Sequence, residues 1–255
     1  MNTTELITCA MDIGDMLLEN GAEIYRVEES MRRICLAYGV VTAEIFAVPT
    51  TIIITVKGNP SETPITLTKR IYSRGINLHK VDLLNSLCRE MCATLPTYEK
   101  VNKRLETIKV FPAYSSFKQI LGFSFIAFFF TLLFKGSIQD AIVALFIGAL
   151  LKIVLDILDR VQTNAFFENV ITGAITALLA LLAVKTGLGS NMDKIIIGTI
   201  MSLVPGLAIT NSMRDIIAGD LLAGITKATE ALLIGTGIAV GAAIPLTFLG
   251  SFLGV

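Results

Sequence analysis

The chain has 255 residues, 53% hydrophobic and only 16% charged, with 21 basic side chains balanced by 21 acidic ones. So apolar a composition excludes an ordinary soluble domain, and a formal charge of zero gives no argument for nucleic-acid binding. Charge is also uneven: residues 1–110 hold 13 basic and 13 acidic side chains, residues 111–255 only 8 of each. Two parts in different solvents are expected, a cytosolic α+β domain over 1–110 and a transmembrane domain over 111–255.

The opening MNTTELITCAMDIGD has neither a basic nor an apolar signal-peptide region, which leaves the first part in the cytosol. Leu6, Cys9, Ala10, Ile13, Met16 and Leu17 recur at helical spacing until Asn20-Gly21, residues suited to a left-handed cap. A second helix carries Val27, Met31, Ile34, Cys35 and Tyr38, with Glu28/Arg32 and Glu29/Arg33 pairs on its other face and Gly39 at its end. EIFAVPTTIIITV and ITLTKRI are rich in β-branched residues around a Lys57–Pro60 turn and predict a strand pair, with Pro49 marking an edge or a bulge. Val81, Leu84, Cys88, Met91 and Leu95 then mark a third helix, and Tyr98, Val101, Leu105 and Ile108 a fourth beyond Pro96. Cys9, Cys35, Cys88 and Cys92 all fall on apolar helix faces and read as reduced core residues. One histidine, His79, cannot complete a zinc site, so no metal and no other cofactor is expected.

After Pro112 the pattern is apolar all round. Segments near 117–134, 138–158, 169–185, 192–210 and 225–249 each approach the ~20 residues that cross a ~30 Å hydrocarbon core. Five spans give an α-helical polytopic membrane protein. Lysine and arginine concentrate on the side of the N-terminal domain, Lys100, Arg104, Lys152, Arg160 and Arg214 among them, against Lys135, Lys185 and Lys194 on the other. This orients the N-terminus inward in the cell (inner) membrane and, with five spans, the C-terminus Val255 outward. Small residues in NVITGAITALLALLAV and GTGIAVGAA allow close helix approach.

One stretch breaks the apolar pattern, MSLVPGLAITNSMRDIIAGD over residues 201–220. Pro205-Gly206 predicts a helix break, after which Asn211, Arg214 and Asp215 would share about one turn. Gly219-Asp220 reads as a stop followed by a cap at the positive end of the next helix, with Lys227 and Glu230 further along. A cytoplasmic loop carrying its usual positive charge accounts for Arg214 and Lys227 singly, whereas a set containing two acids, an asparagine and a Pro-Gly break points to a transport pathway.

The stretch SLVPGLAITNSMRDIIAGDLLAGITKATEALL resembles the hallmark segment of the threonine/serine exporter family, and ENGAEIYRVEESMRRICLAYG with EIFAVPTTIIITV resembles that family's N-terminal domain. The resemblance covers essentially the whole chain. It implies an inner-membrane exporter of small polar metabolites, threonine and serine in the namesakes and a dicarboxylate such as succinate in the two-component relatives. Pro205, Gly206, Asn211, Arg214, Asp215, Gly219 and Asp220 are the matching positions. Lacking the second membrane half of the single-chain exporters, the chain resembles the larger subunit of the split systems. That implies partnership with a smaller multi-span subunit, self-association, or both.

Other candidates stand on the residues alone. Glu19, Glu23 and Arg26 would share a face if the first helix ran on through Gly21, and paired carboxylates suit acid-base work, although a solvated Glu23–Arg26 pair explains the same residues. Lys152, Asp156 and Asp159 occupy consecutive turns of the second span, where Asp156 either pairs with Lys152 or faces a pathway. Without an ATP-binding P-loop, ion-coupled transport is expected, with Arg214 attracting a substrate carboxylate and an aspartate exchanging protons. Two readings compete with it: an intramembrane aspartyl hydrolase using Asp220 and Asp156, and a sensory or accessory subunit that does not transport.

Overall fold

The structure is a computed structural model that describes residues 1–112 and 114–248. It divides into two compact units, one of Met1–Ala113 with Leu207–Ala228, the other of Tyr114–Gly206 with the chain from Thr229 onward.

In the first unit α1 (Thr3–Glu19) starts from a capping box. The Asn2 side chain accepts from the Glu5 amide at 2.8 Å, and Glu5 in return accepts from the Asn2 amide at 2.9 Å. Gly21, at φ +90°, turns the chain into α2 (Ile24–Ala37). Glu19 therefore lies on a different helix from Glu23 and Arg26, and the shared face expected for the three does not form. Of the expected glutamate–arginine pairs on α2, Glu29–Arg33 closes at 2.5 Å.

Three antiparallel strands follow rather than two: β1 (Thr42–Val48), β2 (Thr51–Lys57) and β3 (Ile65–Arg70), in the order β1-β2-β3. Pro49 and Thr50 are the two residues of a hairpin turn, since Val48 pairs with Thr51. The proline thus splits the β-branched run into two strands instead of bulging one. Alternation buries Ala43, Ile45 and Ala47 of β1 and Ile52, Ile54 and Val56 of β2. They pack with Ile13, Met31 and Leu84 in one core, closed by α3 (Leu78–Thr94) and α4 (Tyr98–Lys109). All four cysteines are reduced. Burial raises the Cys35 and Cys88 thiols to about 12, so they remain neutral core groups.

The second unit contains α5 (Ser116–Leu133), α6 (Ile138–Arg160), α7 (Ala165–Lys185), α8 (Met192–Ile200) and most of α10 (Leu221–Phe248). Among the described residues four helices, α5, α6, α7 and α10, are long and apolar enough to cross a membrane. The fourth apolar segment is not a continuous span. α8 has 9 residues and ends before Pro205, and α9 (Gly206–Ala218) begins after it, because proline lacks the amide hydrogen that would continue the ladder. Small side chains set the packing: Ala127, Ala144, Ala177 and Ala180 are fully buried, while Phe125, Phe129, Phe146 and Leu232 face outward, as contact with lipid would favour.

One buried carboxylate organises this unit and escaped the sequence reading. Asp140 is fully buried and accepts from the Ser190 amide at 2.6 Å, the Asn191 amide at 3.0 Å and the Asn191 side chain at 2.9 Å. It also accepts from the amide and hydroxyl of Ser137 at 2.9 and 2.8 Å, so one side chain ties the α5–α6 turn to the α7–α8 loop. The spacing Ser137-x-x-Asp140 before an apolar run is the legible trace of its capping role.

Candidate functional site

The site is built on the start of α2. A helix leaves its first amides without partners, and the N-cap, Glu23, makes no side-chain cap of its own. The cap comes from elsewhere in the chain: Asp215 Oδ1 accepts from the Ile24 amide at 3.1 Å. A carboxylate here also meets the positive end of the α2 dipole. The other oxygen, Oδ2, accepts from Lys227 Nζ at 2.8 Å, and Asp215 has no solvent exposure. A buried charge persists only when paired and hydrogen-bonded, and both oxygens here are engaged.

Glu23, freed from capping, turns its side chain to Arg214 Nη1 at 2.8 Å and lies 3.6 Å from Arg26 Nε. Arg26 also donates to the Tyr25 hydroxyl at 3.0 Å. Asn211 Nδ2 donates to the Gly21 carbonyl at 3.1 Å. One face of α9 thus meets the α1–α2 turn through Asn211, Arg214 and Asp215, the three residues expected to share about a turn.

The corner between α9 and α10 fixes this face. The Ser212 hydroxyl donates to the Gly224 carbonyl at 2.8 Å. A Cβ on Gly224 would come within 2.9 Å of the Ser212 carbonyl oxygen, so only glycine permits the approach. Gly219, at φ +101°, reverses the chain, and the Asp220 amide donates to the Asp215 carbonyl at 2.9 Å. Asp220 directly precedes α10, and its carboxylate has no hydrogen bond or ion pair among the described residues. Burial, reinforced by the charge of Asp215, raises its carboxyl above the ordinary aspartate range, with Lys227 pulling the other way.

A second acid sequence reasoning missed is Glu28. Its i,i+4 spacing pairs it with Arg32, but its Oε1 accepts from the Ala47 amide at 2.7 Å. Burial raises its carboxyl, the Ala47 amide opposes that, and Asp220 adds to the rise. A glutamate four residues before an arginine gives no hint of a strand amide as its partner.

The remaining candidates lie elsewhere. Glu230 is an exposed residue of α10 in the second unit. Asp156 pairs with Lys152 Nζ at 2.7 Å on α6. Glu19 ends α1 beside a cavity described below. Pro205 occupies the break between α8 and α9, and Gly206 opens α9. The arrangement can hold a carboxylate on Arg214, which uses one nitrogen on Glu23 and keeps the rest of its fork available, with 53% of its side chain exposed.

Comparison with known proteins gives the chain its family. The model described as "Putative threonine/serine exporter" matches residues 8–249. The chain is 26% identical over 242 residues to the "Threonine/serine exporter" of Corynebacterium glutamicum, covering 92% of this chain and 50% of that protein. It is 20% identical over 247 residues to a "Probable threonine/serine exporter" of Mycobacterium tuberculosis, covering 96% of this chain and 46% of that protein. The chain therefore spans about half the length of these two relatives. To a "Probable succinate transporter subunit YjjP" of Klebsiella aerogenes it is 24% identical over 246 residues, 96% of this chain and 92% of that protein. No solved structure matches it. With a family model that covers nearly the whole chain and four helices fit to cross a membrane, this multi-pass membrane protein belongs to the threonine/serine exporter family.

Proposed function

We propose that the chain is a subunit of a secondary transporter that exports a small amino acid (threonine or serine) or a small dicarboxylate such as succinate, working with a smaller multi-span subunit, with copies of itself, or with both. The relative matched over 92% of its length is itself named a transporter subunit. The observation that carries the reading is the Glu23–Arg214 contact. Arg214 has five N–H donors and is given one carboxylate contact at 2.8 Å, in a side chain otherwise half exposed. A substrate carboxylate fits the same fork and competes with Glu23. Asp220, its carboxylate untethered and raised, is the proton acceptor in this scheme, while Asp215 with Lys227 holds the frame.

The test is export from proteoliposomes against pH, with and without the candidate smaller subunit, at matched protein abundance. Arg214→Lys keeps the charge but loses the planar fork, and export is expected to fall about tenfold or more, the scale of one lost charge-assisted bond. Asp220→Asn is expected to abolish the pH dependence while the protein stays folded. The sign follows from the raised carboxyl: ionised Asp220 costs stability in full above its folded-state pKa, and the cost declines below that and is gone once pH is under the unfolded-state value. The asparagine variant should therefore melt no lower than wild type at neutral pH. Wild-type export and pH profile from both variants would reduce the stretch to a membrane-boundary loop.

A further inference from the structure

The first unit contains a second feature, separate from the Arg214 site, with a chemistry of its own. A cavity of about 410 Å³ opens between α1, β3, the start of α3 and α4. On α1 the positions 12, 15 and 19 recur at helical spacing, so Asp12, Asp15 and Glu19 line one wall as a stripe of carboxylates. β3 contributes Lys69 and Arg70, and α3 contributes Lys80. From α4 come Glu106 and Lys109. The lining therefore carries four carboxylates and four cations.

That balance decides the class of ligand. A simple anion would meet as much repulsion as attraction, and so would a simple cation. Among the described residues no cluster of three or more carboxylate, cysteine or histidine side chains is arranged to hold a metal ion. A small molecule with both signs at its two ends matches the lining.

The internal pairing leaves both signs to spare. Lys69 is held by Asp15 at 3.2 Å and reaches Asp12 at 3.9 Å. Lys80 Nζ donates to the Lys109 backbone carbonyl at 2.9 Å. Among the described residues the carboxylates of Glu19 and Glu106 and the ammonium of Lys109 then have no hydrogen bond or ion pair, while Lys69, Lys109 and Lys80 lie within electrostatic range of Glu19. Burial raises the Glu19 carboxyl, followed by the charge of Asp15. An arriving ammonium would offset that penalty on the α1 wall, and the Lys109 ammonium is free for a carboxylate on the α4 wall.

We propose that this cavity binds a small zwitterion of the α-amino-acid class, its ammonium on Glu19 and its carboxylate on Lys109. The site is separate from Arg214 and does not depend on the transport reading. As a binding site in the unit that holds the chain's N-terminal domain, it would make that domain a receptor for the ligand.

The experiment is equilibrium dialysis of radiolabelled L-alanine against the full chain in nanodiscs, with ethylamine and propionate as competitors that keep one charged end each. Wild-type protein is expected to bind L-alanine saturably, with each single-ended analogue at least about tenfold weaker, as losing one charge-assisted contact implies. Glu19→Gln and Lys109→Met should each weaken L-alanine by about tenfold, the same scale, while Arg214→Lys leaves this site unchanged. Both positions are near the surface and neither substitution adds bulk, so a folded variant is expected, checked by its melting profile. Absence of saturable binding, competition by ethylamine or propionate as strong as by L-alanine, or full binding in both cavity variants would overturn the proposal. Binding lost only in Arg214→Lys would place the ligand at the other site and overturn it too, with the transport reading intact. Export that fails while cavity binding survives would sink the transport reading alone.

Discussion

Asp215 shows what a single side chain does when it has no solvent at all. It caps α2 through Ile24 and neutralises Lys227, so its removal strands both a buried amide and a nearly buried ammonium. Asp215→Ala is expected to destabilise the protein by about 3–5 kcal/mol, the usual result of breaking one half of a buried pair. Lys227→Met alone should also destabilise it. Combined with Asp215→Ala it should recover part of the loss, because no charge is then left unpaired; thermal unfolding of the three variants in detergent is the check. A strictly additive double variant would mean the two groups do not act as a pair. The polar character of Asn211, Arg214, Asp215 and Asp220 was legible in the sequence because it interrupts an apolar run. Their partners were not. Ile24 and Glu23 lie 191 residues from Asp215 and Arg214 respectively, and a contact at that separation leaves no periodicity to read. Asp140, by contrast, announced its local role through Ser137 and hid only its reach to Asn191.

At the scale of elements, the helices of the first unit were legible from spacing, since buried faces recur every three or four residues. The sheet was half legible. Composition gave the strands, but Pro49-Thr50 lacks the asparagine or glycine that advertises a two-residue hairpin, so one run concealed two strands. In the second unit small residues do the work that large apolar side chains do in the first. A Cβ on Gly173 of α7 would lie 2.5 Å from the Ile238 carbonyl oxygen, and one on Gly237 of α10 3.0 Å from that of Phe166. Gly241, one turn further along α10, meets the backbone of Val170 even more closely. Backbone cannot yield as a flexible side chain can, so Gly241→Val should force α7 and α10 apart. The expected readout is a strong loss of folded protein in membranes, with Gly187→Ala, at a position with no neighbour within 4 Å of an added Cβ but a strained φ of +76°, costing only about 1 kcal/mol. Equal abundance of wild type and Gly241→Val would show that the approach is not required.

For the whole molecule, chain order bears on topology. We propose that the bilayer is crossed five times, once for each apolar segment of the sequence. If α5, α6 and α7 each cross once, a further crossing is needed before Leu207–Ala228, which belongs to the same compact unit as the N-terminal domain. A reporter fused after Val255, which lies outside the described residues, should then report the face opposite the N-terminus; the same face would reduce the count to four. The split composition of the first unit also bears on how the protein is made. Its last contributors, Asp215 and Lys227, are translated more than a hundred residues after α4, roughly 5–20 s later at the usual rate of synthesis. Throughout that interval the N-terminal domain waits beside the ribosome with the first turn of α2 uncapped. The first unit can therefore close only after α5 to α8 have been synthesised, which makes its completion a late event in the making of the chain.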